Sequence, residues 1–336
     1  MTRSTPVFLF ALFAVIALLP AACEGGSPPP PEPPADLSAD PTVPLADLPE
    51  GAQALSFLGD TLYPPPMPEE LRAQRQAELE AALEGLEADP TDPDAIIWAG
   101  RRTAYLGDYR KAIEFFTLGI QAFPEDPRFY RHRGHRYITV RELDRAISDF
   151  AAAAELIQGT EDQVEPDGLP NPLGIPTSTL HFNIWYHYGL AHYLKGEFPE
   201  AVERYRACMA VSEHPDSRVA TAHWLYMSLR RTGIEEEARA LIQGLELEAL
   251  APHVIESGSY LDMLRLYAGV EAADSPLDPR TLEGATQGYG LGNWHLYNGA
   301  PSRAREVFSD IVEARSQWPS FGYIAAEADL ARMREG

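Results

Sequence analysis

A period of 34 residues runs through most of this 336-residue chain, and it limits the fold more than any other feature. IIWAGRRTAYLGDYRKAIEFFTLGIQAFP, 96–124, lines up with FYRHRGHRYITVRELDRAISDFAAAAELI, 129–157. Gly100 and Gly134 are 34 apart, as are Ala112 and Ala146. Later copies are NIWYHYGLAHYLKGEFPEAVERYRACMAV with Gly189, Gly196 and Ala201, AHWLYMSLRRTGIEEEARALIQGL with Gly233 and Ala238, and YGLGNWHLYNGAPSRAREVFSDIVEA with Gly292, Gly299 and Ala304. A glycine in mid-helix (Gly100, Gly134, Gly189, Gly292) lets a second helix approach closely, and the recurring alanine does the same from the other side. Phe116, Phe150, Tyr205 and Phe308 then fill the space between the two helices. Gly107, Gly196, Gly233 and Gly299 end the first helix of each pair.

These residues resemble the tetratricopeptide repeat family. The resemblance implies an all-α, right-handed α-solenoid of stacked antiparallel helix pairs, with about five repeats over 68–336. Departures from the period are also informative. From Ala146 to Ala201 is 55 residues, and the excess, QGTEDQVEPDGLPNPLGIPTS at 158–178, reads as a long loop. From Ala238 to Ala304 is 66 residues, and SYLDMLRLYAG with SPLDPRTLEGA reads as one degenerate helix pair. PEELRAQRQAELEAALEGLEADP reads as an amphipathic helix capping one end of the stack, with Leu71, Leu79, Leu83 and Leu86 on its apolar side. FGYIAAEADLARM is expected to close the other end, and ALSFLGDTLYPPPM, 54–67, to form an arm lying on the solenoid.

The N-terminus reads as an export signal over 1–22. One arginine and no acid precede a short apolar run, Val7 to Leu19, which is too short for a comfortable membrane span. LLPAAC resembles the lipobox of bacterial lipoproteins, which implies lipidation of Cys23; Pro20 stands where that pattern usually has Leu. The following stretch, 23–53, begins EGGSPPPPEPP and cannot bury a core, so it reads as an extended tether. The expectation is an exported protein, lipid-anchored to the cell envelope and meeting the membrane through that anchor alone. The formal charge of −23 argues against nucleic acid as a partner.

Within this acidic chain the stretch RFYRHRGHRYITV, 128–140, is basic. In the family the first helix of a pair lines the concave surface, and residues spaced three, four and three apart face the groove. Here these are Arg128, Arg131, His135 and Ile138, one stripe at a 3.6-residue period. The equivalent face shows Arg101 on one neighbouring helix, Asn183 and Tyr186 on the other, and Tyr289 and Asn293 at the far end. A basic trough in an acidic protein focuses the field on an anion, and arginine forks suit carboxylates. Arg133 and Arg136 lie on the helix sides, where pairing with Asp144 or Asp149 is expected. The family's carboxylate clamp does not carry over, because its places hold Ile97, Arg101, His132, Asn183 and His187.

The expected function is non-catalytic: a scaffold or adaptor binding a protein or peptide, acidic ones included, in the groove, with no cofactor. An alternative is a small-molecule or glycan binder using Tyr186, Tyr289 and Trp294. A third reading is an enzyme with a site under the 158–178 loop, using His181 or His135. The sequence lacks the HExxH, CxxC, G-x-S-x-G and GxxxxGK patterns that would support metal, hydrolase or phosphate chemistry. Ser178 or Thr179 reads as a helix N-cap, and Cys208 as a core thiol.

Overall fold

The computed structural model describes residues 45–270 and 277–335. The signal-like run and Cys23 lie outside them. The described residues form an all-α solenoid. Five antiparallel pairs carry the repeat: α2 (Pro93–Tyr105) with α3 (Tyr109–Ala122), α4 (Pro127–Thr139) with α5 (Leu143–Leu156), α6 (Leu180–Lys195) with α7 (Phe198–Val211), α8 (Pro215–Arg231) with α9 (Glu235–Gly244), and α12 (Leu282–Tyr297) with α13 (Pro301–Glu313). α1 (Glu69–Ala88) precedes them and α14 (Phe321–Glu335) follows.

The spacing of glycines and large side chains explains the pairing. A Cβ on Gly100 would stand 2.5 Å from Phe116, on Gly134 2.9 Å from Phe150, on Gly189 3.0 Å from Tyr205 and on Gly292 2.4 Å from Phe308. In each pair a ring from the second helix therefore lies on bare backbone of the first, and any side chain there would overpack the contact. Asp92 and Asp126 cap α2 and α4 ahead of Pro93 and Pro127, while Thr179 caps α6 through the Phe182 amide. Gly107, Gly196, Gly233 and Gly299 end their first helices at φ between 77° and 89°. The second repeat has Arg141 at the equivalent place, with φ 70°.

The degenerate unit is smaller than the sequence suggests. α10 (Leu247–Leu250) leads to a single helix, α11 (Gly258–Tyr267), which packs between α8 and α12. The TLEGA stretch forms no helix of its own, because Thr281 caps α12 and Leu282 begins it. α1 differs too: none of its residues is buried, and Leu71 and Leu83 are exposed. It rests on α2 with Glu78 Oε2 accepting from Arg102 Nη1 at 2.9 Å.

α14 does more than close the end of the stack. Besides α12 and α13 it touches α6, and Ile324, Ala325, Ala326, Glu327 and Asp329 are all buried at 1 % exposure or less. A helix covered on every side belongs inside the array. The arm is a short hairpin, β1 (Ala54–Leu55) antiparallel to β2 (Thr61–Leu62). It spans from the first repeat, where Gln53 Oε1 accepts from the Arg110 amide (3.1 Å), to α14, where the Phe57 amide donates to Glu327 Oε1 (2.6 Å). Among the described residues no helix is long and apolar enough to cross a membrane.

Candidate functional site

The first helices of successive pairs touch one another, α2 with α4, α4 with α6 and α6 with α8, and so form one wall on the inner side of the stack, whose N-terminal half carries the basic stripe. α2 contributes Arg101 and Arg102, α4 contributes Arg131, His132, His135 and Arg136, and α6 contributes Asn183, Tyr186 and His187. This half is covered by the chain itself. The 158–178 loop crosses it as a strap, with Val164 bridged to Thr179 and the Leu180 amide donating to Gln163 O at 2.8 Å.

Three arginines hold the strap. Arg101 Nη1 donates to Pro166 O (2.8 Å), and Arg102 Nη1 to Gly168 O (3.2 Å). Arg131 Nε lies 2.9 Å from Glu165 Oε2, off the line of a hydrogen bond, so charge rather than alignment makes this contact. Asn183 Nδ2 donates to the same oxygen at 3.2 Å. Arg131 Nη1 approaches His132 Nδ1 to 3.1 Å; the guanidinium can only donate, so the ring accepts there and carries its proton on Nε2, 3.8 Å from Glu165 Oε1. Gly168 is pressed against the wall, where a Cβ would meet the Tyr105 hydroxyl at 2.0 Å.

The electrostatics agree with a site prepared for negative charge. Burial, then the neighbouring arginines, hold His132 and His135 well below the ordinary imidazole range, and burial and Arg131 do the same for His187. These rings are neutral at pH 7. Arg136 stacks over Tyr109 at 5.6 Å, and burial pulls its guanidinium down to about 10. Among the described residues no carboxylate lies within ion-pair reach of Arg136 or Arg101.

The expected groove residues therefore divide. Arg101, Arg131, His135, Asn183 and Tyr186 share one wall, as the periodicity requires. Arg128 is spent on pairing, with its guanidinium on Asp126 (2.6 Å) and Asp94 (2.5 Å). Tyr289 and Asn293, expected on the groove face, are both fully buried behind α14. The Tyr289 hydroxyl donates to Asp329 Oδ2 (2.9 Å), and Arg231 grips the same carboxylate with both terminal nitrogens (3.0 and 2.8 Å). No groove opens there. Arg133 pairs with Asp149 at 2.7 Å, the expected partner. Cys208 is buried beside Thr221, and burial pushes its thiol up to about 12.

His181 and His135 do not converge. His181 stands by Thr160 (3.1 Å) and Asp162 (4.0 Å), whereas His135 packs at a tilt against His187 at 4.5 Å and Phe321 at 5.4 Å. Two small clefts flank these rings: one of about 220 Å³ is lined by Asn183, Tyr186 and His187, and one of about 330 Å³ by His135, Tyr260 and Glu283. Clefts of about 680 and 870 Å³ open elsewhere, around Tyr226 and Arg239 and around Leu291 and Arg303. They are roomier, yet they lack the convergent buried charge of the strap wall, so volume does not select the site. Sequence reasoning missed Glu165 and Gly168. The signal for both was the motif EPDG in the excess loop, an acid and a glycine flanking a proline.

No family model and no curated protein matches the chain. Solved structures similar to it include YrrB, a TPR protein with an unusual peptide-binding site (14 % identity, 70 % of this chain and 93 % of that one, TM-score 0.40). A tetratricopeptide repeat protein from Parabacteroides merdae is similar at 16 % identity over 73 % of this chain and 90 % of that one, with TM-score 0.43. MamA is similar at 16 % identity over 62 % and 92 %, with TM-score 0.40.

Proposed function

We propose that the chain is a non-catalytic scaffold or adaptor that takes an extended acidic stretch of a protein or peptide on the wall formed by α2, α4 and α6. One observation carries this reading. The wall already receives such a stretch, holding a glutamate carboxylate with Arg131 and two backbone carbonyls with Arg101 and Arg102. Stacked helices hold these arginines in place, so little ordering entropy opposes binding. Burial of Tyr289, one of the three aromatic residues the glycan reading uses, favours the peptide reading.

The setting we propose is a bacterial envelope, with the solenoid carried on a lipid at Cys23 and spaced from the membrane by the Pro-rich stretch. Titration calorimetry of the full chain with Glu- and Asp-containing peptides, against the same peptides bearing Gln and Asn, tests the binding. Acidic peptides should bind and the amides should not; equal heats from both would remove the reading. Replacing Cys23 by Ser should release the chain from the membrane fraction, and unchanged partition would refute the anchor.

A further inference from the structure

We infer that the strap is a built-in competitor, and that the partner is an acidic segment with at least two carboxylates that displaces it from the α2–α4–α6 wall. The inference rests on the peptide-binding reading and adds what the partner must overcome.

The strap is held lightly. Val164, Leu169, Leu173 and Ile175 are 59, 50, 65 and 45 % exposed, so its apolar side chains give it no core of its own. Beyond its backbone bonds to 178–180, its contacts with the wall arginines are the Glu165 carboxylate, whose side chain is 9 % exposed, and the carbonyls of Pro166 and Gly168. Any extended acidic chain offers the same groups. Its fit is also incomplete, since Arg131 Nε has no aligned acceptor and Arg136 has no carboxylate. An incoming segment that supplies one acid to Arg131 and a second toward Arg136 gains what the strap leaves unmade. The strap's advantage is connectivity: a tethered segment acts at an effective concentration in the millimolar range. A weak occupant can therefore hold the wall until a better one arrives.

The probe is a fluorescent peptide with the strap's own sequence, GTEDQVEPDGLP (159–170), titrated into the full-length chain by anisotropy. The wild-type chain should bind it poorly. Glu165→Gln, which removes the competing charge, should bind it about 100-fold more tightly. Gly168→Val should do the same by steric displacement from Tyr105. Adding Arg131→Gln to Glu165→Gln should abolish binding. Because Arg131 is buried and its loss can unfold α4, Arg101→Gln, which removes the donor to Pro166 O, is the second variant and should weaken binding severalfold. Unfolding curves confirm the fold of each, and hydrogen exchange over 163–170 confirms that the strap has lifted. Equal affinity of the wild type and both strap variants would overturn the competitor while leaving peptide binding intact. So would failure of the lifted chains to bind the peptide, or retention of affinity in the arginine variants. If no acidic peptide binds any of the chains, the proposed function itself fails.

Discussion

The two halves of the concave wall are filled by unlike means. In the C-terminal half α14 is covered on every side, with Ile324, Ala325 and Ala326 at 0 % exposure and Asp329 gripped by Arg231 and Arg332. In the N-terminal half the strap buries one carboxylate and one glycine and leaves its large side chains in water. Both segments use an acid against a wall arginine. The difference is the apolar area that travels with the acid: at roughly 25 cal/mol per Å², α14 is part of the core, whereas the strap is an occupant. The same architecture thus presents one half that is closed for good and one that is closed conditionally.

The largest expected effect tests this contrast directly. Asp329 is buried, and although burial pushes its carboxyl up, Arg231 and Arg332 hold it below the ordinary range. Asp329→Ala leaves Arg231 as an uncompensated buried charge and removes the Tyr289 acceptor, so it should cost about 3–5 kcal/mol of global stability in urea unfolding. Glu165→Ala should cost clearly less, because Arg131 regains water once the strap lifts instead of staying an uncompensated buried charge. Comparable losses from the two would erase the distinction between core and occupant.

Arg141 offers a sharper test on the closed side. It holds φ 70° where the other repeats place glycine, a conformation that costs a side-chain-bearing residue about 1–2 kcal/mol. What keeps it there is Glu327 of α14, at 2.8 and 3.2 Å, with Trp318 O at 3.0 Å. Arg141→Gly relieves the backbone but orphans Glu327, for a net loss of roughly 2–4 kcal/mol. Combining it with Glu327→Gln removes the stranded charge while keeping an acceptor for the Phe57 amide, so the double variant should be more stable than Arg141→Gly alone. A thermal double-mutant cycle measures this, and strictly additive losses would show that the pair does not lock α14.

Local chemistry was legible in the sequence and distant pairing was not. Gly100 with Phe116, Gly134 with Phe150, Thr179 as a cap and Arg133 with Asp149 all follow from spacing within one repeat, where helix geometry dictates which side chains meet. The placement of Arg131, Asn183, Tyr186, Tyr289 and Asn293 on first helices was also legible. Whether the wall those helices form is open depends on pairs such as Arg141 with Glu327 and Arg231 with Asp329, which lie 186 and 98 positions apart and leave no periodic trace. Two signs were present. An arginine stands where four repeats have glycine, and two acids stand in the otherwise apolar FGYIAAEADLA.

The smallest effect concerns a trait common to both halves, neutral buried histidines. In the N-terminal half burial and arginines together depress His132, His135 and His187. In the closed half burial alone brings His223 down to about 3, where it packs against Tyr260 and Tyr267. Between the ordinary imidazole value near 6.5 and that depressed value the unfolded chain binds a proton that the folded chain refuses, so stability falls as pH falls. From pH 7 to pH 5 His223 alone should remove about 2 kcal/mol. His223→Phe keeps the ring and deletes the titration, so it should flatten the pH dependence of the urea midpoint by that amount. Glu165→Gln, confined to the strap, should leave the dependence nearly as steep as in the wild type. An undiminished pH dependence in the His223 variant would mean that acid acts first through the N-terminal histidines, and hence that the conditionally closed half also contributes to global stability.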